Sequence, residues 1–310
     1  MQPKIAINIG KLKLKNPVMV ASGTFGYGEE FKDFVDLKKL GAIVTKTITL
    51  KPRQGNLVPR TCETPCGMLN SIGLENPGID IFLREKLPIL SKIGVPIIIS
   101  IAAEVPEELT ELVRLLDNTD INAIELNLSC PNVKRKKFIG LKPQTLIAQN
   151  AKWTKIFVST ARKATNKTLI TKLSPNVTDI TEIAIAAQDA GSDAVALINT
   201  LIGMSIDIQK RRPKIATVTG GLSGPAIRPV ALRMVWEVSQ KIKIPIIGMG
   251  GIINVSSALE FFIAGAACIA IGTANFVNPK VSVEIIEGIK EYLIKNKIKD
   301  INSLIGALKI

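Results

Sequence analysis

Residues 244–251 read IPIIGMGG, an apolar run that stops abruptly at a pair of glycines. A parallel strand buried on both faces looks like this, because neither face needs polar residues. The pattern recurs. Seven more short runs lie at 17–23 (PVMVASG), 42–49 (AIVTKTIT), 96–102 (PIIISIA), 123–130 (AIELNLSC), 168–174 (TLITKLS), 194–200 (AVALINT) and 268–273 (CIAIGT). Between most of them lie helical patterns, over 106–116, 143–164, 179–190 and 228–241, with Pro106 and Pro143 where a first helical turn tolerates proline. Eight βα units predict an α/β fold, a (β/α)8 TIM barrel. An open doubly wound sheet would carry G-x-G-x-x-G after its first strand; here that place reads ASGTFGYG.

Two features exceed a minimal barrel. Residues 4–15 (KIAINIGKLKLK) alternate around a glycine, which predicts an N-terminal β-hairpin capping the bottom of the barrel. Long insertions follow strands 2 and 6, at about 50–78 and 201–225, and loops of that length in a compact domain are usually functional. No linker or low-complexity segment interrupts residues 1–310, so a single domain is expected.

Composition removes several chemistries. The chain has no histidine, which excludes Ser-His-Asp and Cys-His pairs and histidine-ligated metals. The net charge of +14 is spread along the chain, with its tightest cluster at 134–137, and no zinc-finger or aromatic RNA-binding signature accompanies it. A solvated basic surface is the expectation, with attraction of anionic ligands as a second role and no nucleic-acid partner. Four cysteines and no signal peptide predict reduced thiols and a cytoplasmic protein. Cys62 and Cys66 are spaced C-x3-C, not the usual zinc spacing, and read as structural or incidental. No apolar run reaches the length of a membrane span.

In a barrel of this type the chemistry sits at the C-terminal strand ends. Those ends supply Ser22, Lys46 with Thr47, Ser100, Asn127 with Cys130, Lys172, Asn199 with Thr200, Gly250 with Gly251, and Gly272 with Thr273. No carboxylate pair appears among them, which disfavours a glycosidase, and no acidic cluster suggests a divalent metal. Glycines after strands 7 and 8, with a GGLSGP loop ahead of them, suit phosphate binding by backbone N–H groups. Lys46 and Lys172 end apolar runs, so two ammonium groups facing one pocket are expected; a Schiff-base lysine is the competing idea. Asn127 and Asn199 lie within apolar strands, where an unpaired amide is costly, so a ligand rich in donors and acceptors, such as a pyrimidine ring, would explain them. A lone cysteine is ordinarily a small core residue, and Cys130, at a strand end between asparagines, is one thiol among the polar groups of these strand ends.

The segments NLSCPNVK, GMLNSIGLENPG, KLSPNVTDI, INTLIGM, GGLSGPAIRPVAL, IPIIGMGGI and GTANF, in that combination, resemble class 1 dihydroorotate dehydrogenases over almost the whole chain. The wording is closest to subtype B, the catalytic subunit that pairs with an iron–sulfur flavoprotein subunit. The resemblance implies an FMN barrel that oxidises (S)-dihydroorotate to orotate in pyrimidine synthesis. It implies Cys130 as the catalytic base that removes the C5 proton, while hydride passes from C6 to flavin N5. It places Ser22, Lys46, Thr47, Ser100, Asn127, Lys172, Ile198, Gly224, Gly250, Gly251, Gly272 and Thr273 against FMN. Lys46, Asn70, Ser71, Ile72, Gly73, Leu74, Asn127, Asn132, Asn199 and Thr200 are then expected around the substrate. It further implies a homodimer, or a heterotetramer whose partner subunit carries FAD and a 2Fe–2S cluster and delivers electrons to NAD. The chain departs from the family after CPNVK, where Gly-rich residues are common and this sequence reads RKKFIGLKP, and at Ser100, where the close subtype commonly has Asn. The alternative within the fold is a related FMN barrel acting on dihydrouracil or dihydrouridine. Outside it, a non-catalytic basic binding module would show salt-dependent nucleic-acid affinity.

Overall fold

The computed structural model describes residues 2–130 and 146–309. Eight parallel strands close into a barrel in chain order: β1 (Val18–Val20), β2 (Ala42–Val44), β3 (Ile97–Ile101), β4 (Ala123–Asn127), β5 (Thr168–Lys172), β6 (Ala194–Leu197), β7 (Ile246–Met249) and β8 (Cys268–Ile271). Closure comes from β8 pairing with β1, Ile269 opposite Val18. Each strand is shorter than its apolar run.

Alternation along the strands sorts the residues into two cores. Met19, Ala42, Ile98, Ala123, Ile170, Ala196, Ile247 and Ala270 cluster within the barrel. Their neighbours Val20, Ile43, Ile99, Ile124, Leu169 and Ile269 join the outer core beneath the helices. The helix Pro106–Asp117 shows how that layer is built: Leu109, Leu112, Val113 and Leu116 recur at helical spacing and are all buried. The helix expected over 143–164 is Ala151–Ala164; Asn150 caps it, its side chain accepting the Trp153 N–H at 3.0 Å. That cap and the short 3₁₀ turn Ile147–Gln149 set its start, and Pro143 lies outside the described residues.

Ile7–Ile9 and Leu12–Leu14 form the antiparallel hairpin, with Gly10 at φ 54° in its turn. Ile7, Ile9, Leu12 and Leu14 join the inner core. The Lys11 N–H donates to Thr168 Oγ1 at the start of β5, so the hairpin lies against the N-terminal end of the barrel. Burying side chains of this size stabilises by about 1.5–3 kcal/mol each.

The two insertions meet. Thr61–Thr64 and Gly67–Asn70 from the first, and Leu201–Met204 and Thr219–Ser223 from the second, form one four-stranded antiparallel sheet. Its central pairing sets Asn70 opposite Gly221 and Met68 opposite Ser223. Among the described residues, no helix is long and apolar enough to cross a membrane.

Candidate active site

The period-2 alternation that fills the barrel with Ala and Ile delivers polar groups at its mouth. On β4 the inward series runs Ala123, Glu125, Asn127; on β5, Ile170 then Lys172; past β2, Val44 then Lys46. A cavity opens where these series end. It is lined by Ser22, Lys46, Thr47, Asn127, Cys130, Lys172, Ile198, Asn199, Thr200, Gly224, Gly250, Gly251, Gly272 and Thr273 from the barrel and its loops. Asn70, Ile72, Gly73 and Leu74 reach it from the first insertion.

Two expected residues stand elsewhere. Ser100 is fully buried and does not line the cavity; its hydroxyl lies 3.0 Å from Thr47 Oγ1 and donates to Glu125 Oε1 at 2.9 Å. It stops short of the mouth because it stands opposite Glu125 in the β3–β4 pairing, one inward step below Asn127, which lines the cavity. Ser71 is also buried off the cavity, and its hydroxyl accepts from Asn56 Nδ2 at 2.9 Å. Asn132 and the basic segment 134–137 lie outside the described residues.

The lining is tied together by hydrogen bonds. Asn127 Nδ2 donates to Thr47 Oγ1 at 2.9 Å, and the Ser22 hydroxyl lies 3.1 Å from the same oxygen. Asn199 Nδ2 donates to Ser129 Oγ at 2.9 Å, and Ser129 Oγ donates to Asn127 Oδ1 at 3.4 Å. Thr273 Oγ1 donates to Ser223 Oγ at 2.8 Å, joining the β8 end to the inter-insertion sheet. The Leu197–Ile198 peptide is cis.

Charge is placed as well. Lys172 is buried, with its ammonium 4.0 Å from Glu125. Lys46 is more open, 3.8 Å from Glu75, which Arg60 holds at 2.7 Å. The same arginine donates to the carbonyls of Asn56 and Gln54, fastening the first insertion over the cavity. Leu74 lies in the left-handed region at φ 58°, and Asn76 Nδ2 grips its carbonyl at 2.8 Å. Non-glycine residues held there cost energy and concentrate at ligand clamps.

The cysteines divide by place. Cys130 lines the main cavity and also a second one that continues past Leu74 and Asn127 toward Arg53 and Glu104. Cys268 sits inside the barrel, where burial pushes its thiol well above the usual range and makes it a packing residue. No disulfide joins Cys62, Cys66, Cys130 or Cys268. No group of three or more acidic or cysteine side chains among the described residues could hold a metal.

The residues missed from sequence include Thr24, Thr61 and Ser223, polar groups of the lining, and two further kinds. Met68, Ile227, Met249 and Phe276 give the cavity apolar walls, which motif reasoning has no means of separating from core. Glu125 lies beneath the lining; an acid in the middle of an apolar strand (AIELN) is the signal that could have found it.

A family model described as dihydroorotate dehydrogenase matches residues 4–293. The chain belongs to the dihydroorotate dehydrogenase family. Three relatives share the printed name dihydroorotate dehydrogenase B (NAD(+)), catalytic subunit. That of Trichlorobacter lovleyi is 53% identical over 311 residues, covering 100% of both chains. That of Geotalea daltonii is 52% identical, covering 100% of this chain and 99% of its own. That of Bacteroides thetaiotaomicron is 49% identical, covering 99% of each.

Proposed function

We propose that this chain is the catalytic subunit of a cytoplasmic, NAD(+)-linked dihydroorotate dehydrogenase that oxidises (S)-dihydroorotate to orotate in de novo pyrimidine synthesis, with FMN in the barrel cavity. The observation that carries this reading is the convergence of Cys130, Lys46, Lys172, Asn70, Asn127 and Asn199 on one cavity with a glycine-lined end.

The residues fit FMN. Among the described residues, no protein acceptor takes the N–H groups of Gly250, Gly251, Gly272 or Thr273, which leaves four backbone donors for a phosphate. Gly250 and Gly251 have φ of 124° and 74°, so glycine is required there by conformation. Gly272 is different: a Cβ there would meet nothing nearer than 3.8 Å, so the protein itself gives no reason for glycine. A ligand lying against that backbone would. Ser22, Thr47, Asn127 and Lys172 then offer hydroxyl, amide and ammonium groups to the ring.

When bound, FMN supplies the acceptor for the hydride leaving C6 of the substrate. The chain supplies the rest. Lys46 and the Asn70–Leu74 loop face the substrate carboxylate and ring, and Asn127, Asn132, Asn199 and Thr200 hold its amide groups. Cys130, as thiolate, takes the C5 proton, so that loss of that proton and of the C6 hydride leaves the C5–C6 double bond. A cysteine of ordinary pKa, about 8.5, becomes a usable base near neutrality when cations stand close. The relatives' names, each a catalytic subunit linked to NAD(+), support a further subunit that passes electrons to NAD(+); in this reading that subunit carries the FAD and the 2Fe–2S cluster, and this chain pairs with it as a homodimer within a heterotetramer.

An anaerobic flavin spectrum tests the reading. The purified chain should be yellow and bleach on addition of dihydroorotate but not of neutral dihydrouracil. A chain that takes up no FMN on reconstitution, or that dihydrouracil reduces as fast, sinks it. Cys130→Ala should keep FMN and slow its reduction by two or more orders of magnitude, roughly the range of general-base contributions.

A further inference from the structure

We propose that Glu125 is a positioning residue that orients the polar groups facing the cavity and balances the charge of Lys172 beside the cofactor; this rests on FMN occupying that cavity. Glu125 is 2% exposed and lines neither cavity, so it touches no ligand. It sits one inward step below Asn127 on β4, and its neighbours are Ser100 and Lys172.

The hydrogen bonds fix a direction. An ionised carboxylate only accepts. The single proton of Ser100 therefore goes to Glu125, and the contact between Ser100 and Thr47 must be donated by Thr47. With its own proton committed, Thr47 Oγ1 can only accept, and it takes the Asn127 amide and the Ser22 hydroxyl. That choice turns the Asn127 side chain, leaving Oδ1 on the side of Ser129. One buried carboxylate thus sets the direction of the two hydroxyl contacts that geometry alone leaves open, Thr47 to Ser100 and Ser22 to Thr47.

Charge is the second consequence. Lys172 lines the cavity and Glu125 does not, yet the two lie 4.0 Å apart with side chains 6% and 3% exposed. Water screens such a pair little, so the field in the cavity is that of the pair. Removing the carboxylate leaves an uncompensated cation beside the cofactor. Added positive charge favours the reduced cofactor, which holds the extra electrons.

The test uses the FMN-loaded protein and three variants: Glu125→Gln, Lys172→Met and the two combined. The readout is the ratio of reduced to oxidised bound flavin at a fixed poise against a reference dye, without substrate. Glu125→Gln keeps an acceptor for Ser100 and should raise the ratio on the order of tenfold. Lys172→Met should lower it, and the double variant should return to within about threefold of the parent. A Glu125→Gln ratio within twofold of the parent overturns the proposal, as does a double variant that adds the two effects in one direction. If Glu125→Gln does not fold, the double variant, which buries no lone charge, carries the comparison with Lys172→Met. If the double variant also fails to fold, Glu125 serves the barrel and not the site, and the proposal falls. A parent chain that binds no FMN would instead overturn the function proposed above.

Discussion

At the scale of single residues, the interior of this barrel tolerates polarity only where it is answered. Tyr27 is the exception: its hydroxyl is the one buried side-chain polar atom among the described residues without a partner. Burial first, then the carboxylates of Glu30 and Glu75, push its pKa up to about 12 from 10.0. The folded state therefore holds the phenol proton more tightly than the unfolded chain does. Ionisation of this group costs no stability below pH 10, and the fold loses stability as pH rises from 10 toward 12. Tyr27→Phe removes an unanswered group at nearly constant shape and should raise unfolding stability by about 1 kcal/mol, in the range for a buried unsatisfied donor. It should also flatten the decline above pH 10, read from denaturant midpoints across pH. A variant less stable than the parent would mean that the hydroxyl has a partner after all. The same rule explains what could be read of the site beforehand. Asn127, Asn199, Lys46 and Lys172 were conspicuous because each interrupts an apolar strand. Ser100, expected at a strand end, lies buried one layer below the cavity lining, since a sequence shows that a residue faces inward but not how deep it lies.

At the scale of elements, the eight barrel strands were legible because parallel strands buried on both faces read as apolar runs. The hairpin Ile7–Ile9 with Leu12–Leu14 was legible from strict alternation. The four-stranded sheet was not. Its strands TCET, GMLN, LIGM and TGGLS are short and partly exposed, and its central pairing joins residues some 150 positions apart, so no local pattern announces it. The glycines mark it only in retrospect. A Cβ on Gly67 would overlap the Ser223 carbonyl, and φ there is 154°. Gly67→Ala should therefore push the insertions apart, costing about 1–3 kcal/mol as overpacking does. Because Asn70 and Leu74 hang from the first insertion and Thr200 borders the second, the substrate KM should rise more than kcat falls. Equal stability and unchanged KM would show that the sheet does not position the substrate loop. Asn76 gives a companion case within the first insertion. Its side chain bonds Thr49, Gly78 and the carbonyl of Leu74, so Asn76→Ala releases the left-handed turn at Leu74. Substrate affinity should fall severalfold with FMN content unchanged, measured by orotate titration of the flavin spectrum.

At the scale of the whole molecule, the net charge of +14 is the property that sequence displays most plainly and that fold least explains. The surface ion pairs, such as Lys4 with Asp300 and Lys290 with Glu287, join exposed side chains and contribute little to stability. The excess positive charge instead acts at a distance. A substrate that carries a carboxylate approaches a cavity whose mouth holds Lys46, and the summed field raises its encounter rate. Salt shortens the reach of that field, from about 30 Å at 0.01 M to about 3 Å at 1 M. The association rate of orotate, followed by stopped-flow through the flavin spectrum, should therefore fall roughly tenfold over that range, within the span of electrostatic steering. Its dissociation rate should change far less, because salt acts mainly on the long-range approach of the anion and less on short contacts within the cavity. A neutral analogue such as uracil should associate at the same rate throughout. If orotate shows a flat salt profile, the basic surface does nothing for the reaction, and its purpose must be sought at a surface away from the cavity.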